Sequence, residues 1–180
     1  PEIELIRVAA YSDLGYLTCI KEIQAFANLS EIQKLQFDDK IEELSISKKI
    51  PRDTCSQDET SKKVRKQYEE DPYPRWTNLH HPFSPLFLGE IIERQNVALR
   101  ERSIFSKKFL SVLVAGCGTG AHPISTSKKL KNVNIDAIDL SLKSLSYAKR
   151  KASEFSANNI NFFQKDILNL ETNSKKYDYI

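Results

Sequence analysis

Hydrophobic residues change their spacing at about residue 109 of the chain. Before this point they recur every three or four positions, as in amphipathic helices. From residue 109 onward, short apolar runs alternate with stretches of helical spacing. The first pattern predicts helices, and the second predicts strands joined by helices. The chain is therefore predicted to consist of a helical N-terminal region followed by an α/β region.

The N-terminal region contains several predicted helices and one break. A polar stretch without periodicity covers residues 45–60 and predicts a linker. Ser84-Pro85 is typical of a helix start, with a cap followed by proline at the first position. The helices are predicted at residues 2–29, about 32–44, 61–70 and 84–100.

The C-terminal region alternates strand and helix in a way that favours a parallel sheet. Strands are predicted at Phe109–Ala115, Val133–Ile138 and Ile160–Phe163, and Tyr177–Ile180 would open a fourth. The helices between them are predicted from Ala121 to Leu130 and after the cap Ser141. Three regions follow: a helical region with a polar linker (1–60), a capping segment (61–108) and a partial α/β domain (109–180).

Composition narrows the class of protein. Hydrophobic residues make up 40% and charged residues 28%, which is enough for a packed core and argues against global disorder. No apolar run is long enough to span a membrane, and the N-terminus lacks the pattern of a signal peptide. The chain contains no Met, and its last residues resemble the start of a strand. We therefore expect it to be a C-terminally truncated piece of a longer protein.

The charge distribution and the cysteines add further expectations. The formal net charge is +3, with an acidic first third and a basic remainder, which could favour an anionic ligand. The basic part has no arginine-rich stripe with interleaved aromatics, which argues against nucleic acid as a partner. Cys19, Cys55 and Cys117 fit neither a zinc site nor a disulfide framework, so a reducing cytoplasm is predicted.

A glycine-rich loop carries the candidate chemistry. Gly116-Cys117-Gly118-Thr119-Gly120 lies where the first strand turns into its helix. Glycines there allow a sharp turn and the close approach of a ligand to the backbone, and the helix start offers free N–H groups. Asp139, at the end of the second strand, could accept hydrogen bonds from both hydroxyls of a ribose. The pattern predicts a nucleoside cofactor without naming it.

These residues leave two alternative functions open. The loop also satisfies the dinucleotide fingerprint, as Gly116-x-Gly118-x-x-Ala121, so an NAD-dependent oxidoreductase is one alternative. Against it, Gly120 adds a third glycine and Asp166 follows the third strand. A helical scaffold or interaction protein with a vestigial cofactor fold is the other alternative.

Three segments resemble the motifs of class I S-adenosylmethionine-dependent methyltransferases: Val112–Gly120, Ile138–Ser141 and Gln164–Leu168. The resemblance covers roughly residues 109–180 and implies a Rossmann-like parallel sheet with S-adenosylmethionine as cofactor. A further segment, Val64–Trp76, resembles a bacterial subgroup with a QYE-x-x-PYPRW stretch, often linked to tetratricopeptide repeats.

The resemblance also implies roles for individual residues. The four loop residues would line the methionine and ribose end of the cofactor, and Asp139 would hold the ribose hydroxyls. Leu140 would pack against the adenine, Asp166 would accept from its amino group, and Ile167 would cover the ring edge. The four loop residues that would line the cofactor are Gly116, Cys117, Gly118 and Gly120. No metal ligand is predicted.

The sequence departs from the family pattern at Val114, where many families have an acidic residue. The methyl acceptor is not identified, and neither is a catalytic base, because substrate-binding elements of this family usually follow the fourth strand.

The aromatic residues of the PYPRW stretch could form a lid over the cofactor or anchor the N-terminal segment on the sheet domain. Because a truncated sheet has an exposed edge, we expect self-association into a homo-oligomer.

Overall fold

The computed structural model describes residues 34, 38–53, 58–79, 84–95, 107–170 and 176–180. The chain divides into two compact units, Pro1–Ser45 and Ile46–Ile180. The described elements, in chain order, are α1 (Asp39–Ser47), α2 (Glu59–Glu70), α3 (Leu88–Arg94), β1 (Leu110–Ala115), α4 (Ala121–Lys129), β2 (Val133–Asp139), α5 (Leu142–Glu154), β3 (Ile160–Gln164) and a short 3-10 helix (Ile167–Asn169).

The sheet is parallel, with the order β1-β2-β3. Val112 is opposite Ile135, and Ala137 is opposite Phe162. β1 is a mostly apolar run because a parallel strand is covered by side chains on both faces. The predicted fourth strand is present as a single parallel bridge from Tyr179 to Val112. The predicted α/β fold with a Rossmann-like parallel sheet is thus confirmed.

Helices α4 and α5 pack against the sheet. The side chain of Ser141 caps α5 by accepting a hydrogen bond from Ser144 N at 3.1 Å, as the sequence predicts. The apolar stripe of α5, with Leu145, Ala148 and Ala152, is buried in the core. This packing brings α5 against the loop that follows β1, which matters for the candidate site.

The third helix begins later than predicted. Ser84 and Pro85 lie outside it, and α3 starts only at Leu88. The intervening Leu86 forms a parallel bridge with Leu130, in which Leu86 N donates to Lys129 O at 3.0 Å. This backbone pairing, distant in sequence, delays the helix despite the favourable Ser-Pro start. The residues predicted to extend this helix beyond 95 lie outside the described part.

The predicted linker also differs in the structure. The compact-unit boundary falls between Ser45 and Ile46, and Ile50 is buried in the core at 3% exposure. Arg52 forms a parallel bridge with Gln164, the last residue of β3. Two backbone hydrogen bonds of 2.9 Å, involving Pro51 O and Asp53 N, fix this pairing to Gln164. The carboxyl end of the β3 edge is therefore covered by the chain itself.

The other helices predicted for the N-terminal region lie only partly within the described residues. Helix α2 begins after the cap Asp58, slightly earlier than predicted, and ends at Glu70 before Pro72. In α1, which overlaps the helix predicted over about 32–44, Ile41 and Leu44 are exposed. The helix predicted over residues 2–29, and with it any repeat, lies outside the described residues. Among the described residues, no helix is both long and apolar enough to cross a membrane.

Candidate functional site

The glycine loop is held by its own backbone and by the strand beside it. Gly116, Gly118 and Gly120 have φ values of +68°, +53° and +86°, in the left-handed region that favours glycine. Cys117 N donates to Ile138 O at 2.9 Å, and Gly120 N donates to Cys117 O at 3.0 Å. The loop therefore needs glycines for its conformation and is tied to the end of β2.

Gly120 has a second reason to be glycine. It caps α4, and a Cβ at this position would lie 2.5 Å from the Cβ of Ala148 on α5. A Cβ at Gly116 or Gly118 would have nothing within 4 Å. Two of the glycines thus leave open space in front of the backbone, and the third allows α4 and α5 to pack closely.

Asp139 joins the loop to the start of α5. One carboxylate oxygen accepts from Gly118 N at 2.8 Å and the other from Ser141 N at 2.8 Å. Burial raises the pKa of Asp139 above its usual 3.8, the negative charge of Glu69 adds to the rise, and the backbone hydrogen bonds partly oppose it. The carboxylate is thus a half-buried acceptor between the glycine loop and the β2 end.

Asp166 follows β3 and lies at the carboxyl end of the sheet, where Asp139 ends β2. It is 1% exposed, and its Oδ1 accepts from Leu168 N at 2.9 Å. Among the described residues, its Oδ2 has no hydrogen-bond partner, which is costly for a buried carboxylate oxygen. Next to it, the Ile167 side chain is 52% exposed. Leu140 is half-buried, and its carbonyl accepts from the Gln164 side chain at 2.9 Å.

Cys117 contributes its backbone rather than a reactive thiol. Its side chain is buried, and burial together with the charge of Asp139 raises its pKa well above the usual value. The thiol therefore stays protonated near neutral pH and is a poor nucleophile. Val114, the departure from the family pattern, is buried in the hydrophobic core. In the described part of the chain, no group of His, Cys, Asp and Glu could hold a metal ion.

The PYPRW stretch is attached to the loop and to α5. Trp76 Nε1 donates to Thr119 O at 3.1 Å, and Thr119 Oγ1 donates to Pro74 O at 2.7 Å. The Trp76 ring packs against Tyr147 and Phe155, at centroid distances of 6.1 and 5.7 Å. These contacts favour the anchor over the lid for Trp76.

Three residues of this arrangement were not among the predicted site residues. Thr119 lies within the glycine loop, Ser141 was identified only as a helix cap, and Glu69 lies on α2. Leu142 N donates to the Glu69 carboxylate, and Ser141 Oγ donates to Tyr68 O at 3.0 Å. Local spacing gives no sign of such contacts. In the sequence, only the QYE-x-x-PYPRW pattern marks the segment that makes these contacts.

Sequence comparison decides which family the loop and its strands match. Residues 112–180 match the methyltransferase domain family. The matched segment includes most of β1, the glycine loop, Asp139 and Asp166, which are the elements of the candidate site.

Curated relatives are methyltransferases with different acceptors. The chain is 37% identical over 75 residues to malonyl-[acyl-carrier protein] O-methyltransferase 1 of Ilyobacter polytropus, an alignment that covers 42% of this chain and 27% of that protein. It is 38% identical over 77 residues to the release factor glutamine methyltransferase of Flavobacterium psychrophilum, covering 43% and 27%. The chain thus spans about a quarter of the length of these relatives.

Solved structures of methyltransferases are also similar. Magnesium protoporphyrin IX methyltransferase from Synechocystis PCC 6803 with bound SAM has a TM-score of 0.45 and 21% identity, over 69% of this chain and 62% of that one. Geranyl diphosphate C-methyltransferase from Streptomyces coelicolor has a TM-score of 0.42 and 11% identity, over 64% and 50%.

Proposed function

We propose that the chain holds the cofactor-binding part of an S-adenosylmethionine-dependent methyltransferase. The observation that carries this proposal is the junction at Asp139, whose carboxylate accepts from both Gly118 N and Ser141 N within the matched methyltransferase segment. When bound, the cofactor supplies an electrophilic methyl group on a sulfonium. The residues of the chain would hold and orient it.

Asp139 would hold the ribose. A carboxylate has about four acceptor positions, and the two backbone hydrogen bonds leave capacity for hydroxyl groups. Hydrogen bonds to an ionised acceptor are the stronger kind, and more so in a site shielded from water. Gly116, Cys117, Gly118 and Gly120 would line the methionine and ribose end with backbone atoms, which the open space at Gly116 and Gly118 supports.

Asp166, Ile167 and Leu140 would hold the adenine. The unpartnered Oδ2 of Asp166 needs a donor, and the amino group of an adenine is a donor of suitable chemistry. The exposed Ile167 side chain and the half-buried Leu140 offer apolar surface for the faces and edge of the ring. The residues present therefore fit a nucleoside cofactor.

Catalysis by this arrangement would consist mainly of positioning. A methyl transfer requires the donor carbon and the acceptor atom to be held in line, and holding them so removes much of the entropic barrier. Asp139 and the glycine loop would fix one of the two partners. We assign no general base and no methyl acceptor to the described residues.

We further propose that the chain belongs to the bacterial subgroup with the QYE-x-x-PYPRW segment. In this subgroup the segment is often linked to tetratricopeptide repeats. This proposal is supported by the contacts of Tyr68, Glu69 and Trp76 with the elements of the candidate cofactor site.

A cytoplasmic location stays a prediction from the cysteine pattern. The division into regions 1–60, 61–108 and 109–180 is likewise a proposal, and limited proteolysis followed by mass spectrometry would test it.

Calorimetric titration tests the proposed cofactor against the two alternatives. We expect S-adenosylhomocysteine and S-adenosylmethionine to bind the wild-type chain with one site, and NAD to give no heat above dilution. Preferential binding of NAD would instead favour the oxidoreductase. Absence of binding by all three would favour the scaffold protein and contradict the proposal.

Cofactor affinity should depend on pH through Asp139. Because burial raises its folded-state pKa above 3.8, the protonated form stabilises the fold below 3.8, and this contribution is lost as pH rises through the raised pKa. Ribose binding needs the ionised form, so the affinity for S-adenosylhomocysteine should rise across that window and then level off. Titrations from acidic to neutral pH measure this. Asp139→Asn, which does not titrate, should remove the dependence, whereas a flat wild-type profile would contradict the assigned role.

We also propose self-association through a sheet edge. The carboxyl end of β3 is covered by Pro51–Asp53, and the edge of β1 away from β2 is paired over part of its length. Described residues pair with that edge only around Tyr179, through Leu113 N to Tyr179 O and Asp178 N to Ser111 O. Sedimentation velocity should show a species larger than a monomer whose fraction grows with concentration. A monomer at every concentration would refute it.

A further inference from the structure

Residues Tyr68–Trp76, called the strap below, contact the candidate cofactor site at two places. The first is the turn after Asp139. Ser141 Oγ donates to Tyr68 O at 3.0 Å, and Leu142 N, at the start of α5, donates to the Glu69 carboxylate. The strap thus meets the turn whose backbone also donates to Asp139.

The second place is the glycine loop itself. Trp76 Nε1 donates to the backbone oxygen of Thr119 at 3.1 Å, and Thr119 Oγ1 donates back to Pro74 O at 2.7 Å. Thr119 is 3% exposed and lies between Gly118 and Gly120. Two reciprocal hydrogen bonds therefore join the strap to the centre of the loop.

Trp76 is itself fixed on α5. Tyr147 Oη donates to Trp76 O, and the Trp76 ring packs against Tyr147 and Phe155. The Lys151 ammonium lies 5.6 Å from the centre of the indole ring. An indole held in this way offers its N–H to the loop from a defined position.

The loop needs such external support. Three of its five residues are glycines with positive φ, and glycine has more accessible backbone conformations than any other residue. A binding loop is effective when it is held in its bound geometry before the ligand arrives, because the ordering cost is then already met. The reciprocal bonds at Thr119 restrict the loop between the two glycines.

We infer that Trp76 and Thr119 are positioning residues, through which the strap holds the glycine loop ready for the nucleoside cofactor. The inference rests on the proposed function and adds to it a coupling between strap and cofactor. Since coupling is reciprocal, loss of the strap contacts should weaken cofactor binding, and cofactor binding should tighten the strap.

Two variants remove the contacts with little change in shape. Trp76→Phe keeps an aromatic ring beside Tyr147 and Phe155 but has no N–H, and Thr119→Val replaces the hydroxyl by a methyl. Each should raise the Kd for S-adenosylhomocysteine about tenfold in calorimetry, as expected for the loss of one partly buried hydrogen bond.

Asp58→Ala is the matched control. It removes the cap of α2, the 2.8 Å hydrogen bond from Ser61 N, at the far end of the helix that leads into the strap. A cap is worth about 1 kcal/mol, similar to the bonds removed by the other variants. We expect Asp58→Ala to lower stability in urea unfolding and to leave the Kd unchanged.

The only tryptophan of the chain gives a spectroscopic test. Addition of S-adenosylhomocysteine to the wild type should change the emission of Trp76, and the change should be smaller in Thr119→Val. In the unliganded protein, hydrogen exchange at Gly118 N and Gly120 N should be about tenfold faster in Trp76→Phe than in Asp58→Ala. This last measurement does not involve the cofactor.

The outcomes separate the inference from the proposed function. Wild-type binding with unchanged Kd and unchanged exchange in both variants would overturn the inference alone. Equal weakening by Asp58→Ala would also overturn it, since the effect would then follow stability. If the wild type binds no cofactor but Trp76→Phe still speeds exchange in the loop, the proposed function and the coupling fail, while the strap remains a support of the loop.

Discussion

Gly120→Ala is expected to destabilise the protein by about 4 kcal/mol, whereas Gly116→Ala should cost only about 1 kcal/mol. Both substitutions force an alanine into positive φ, +86° and +68° respectively. At Gly116 the new methyl group meets nothing within 4 Å, but at Gly120 it would lie 2.5 Å from the Cβ and 3.0 Å from the Cα of Ala148. The added cost at Gly120 is the separation of α4 from α5.

Urea unfolding followed by circular dichroism measures this difference. Gly116→Ala is the matched control because it shares the backbone strain without the clash. Replacing Ala148 by Gly in the Gly120→Ala background should restore part of the stability, since the nearest atom is then removed and the Cα remains. Equal destabilisation by the two alanine substitutions would show that helix packing at Gly120 is not what requires glycine.

Asp139→Ala is expected to weaken S-adenosylhomocysteine binding by at least about 100-fold. Two hydroxyl hydrogen bonds to a carboxylate contribute about 1.5 kcal/mol or more each, and together they correspond to this factor. The substitution also leaves Gly118 N and Ser141 N without their acceptor, so the loop and the β2 end lose their connection. Calorimetry on the purified variant measures the loss.

Asp136→Asn is the matched control for this prediction. Asp136 is a buried carboxylate on the same strand, and it accepts hydrogen bonds from Tyr177 Oη and the Asn161 side chain rather than from the loop. Its substitution should lower stability and leave cofactor affinity within about twofold of the wild type. A similar loss of affinity in both variants would argue that Asp139 acts only through the fold.

The sheet and its helices could be predicted because their causes are local. Strands buried on both faces are continuous apolar runs, such as Leu110–Ala115, and the α5 cap needs only Ser141. The glycine loop was equally visible, because left-handed backbone and close helix packing both require glycine. Asp139 and Asp166 were predicted from their positions after two strands, and the structure brings both to the same edge of the sheet.

What could not be predicted depends on contacts between residues far apart in sequence. The bridge between Leu86 and Leu130 accompanies the later start of α3. The bridge between Arg52 and Gln164 pairs part of the predicted linker with the end of β3. The hydrogen bond from Trp76 to Thr119 is of the same kind. Periodicity describes one element at a time, so it carries no information on which backbone groups meet across the fold.

NMR of the isotope-labelled chain maps cofactor binding directly onto the backbone. Addition of S-adenosylhomocysteine should shift the amide signals of Gly116, Gly118 and Gly120 and of the turn from Asp139 to Ser141, with smaller changes at Asp166 and Ile167. Distant amides such as those of α3 should not move. Absence of shifts, or shifts confined to residues away from the glycine loop, would show that this loop and Asp139 do not form a nucleoside-cofactor site.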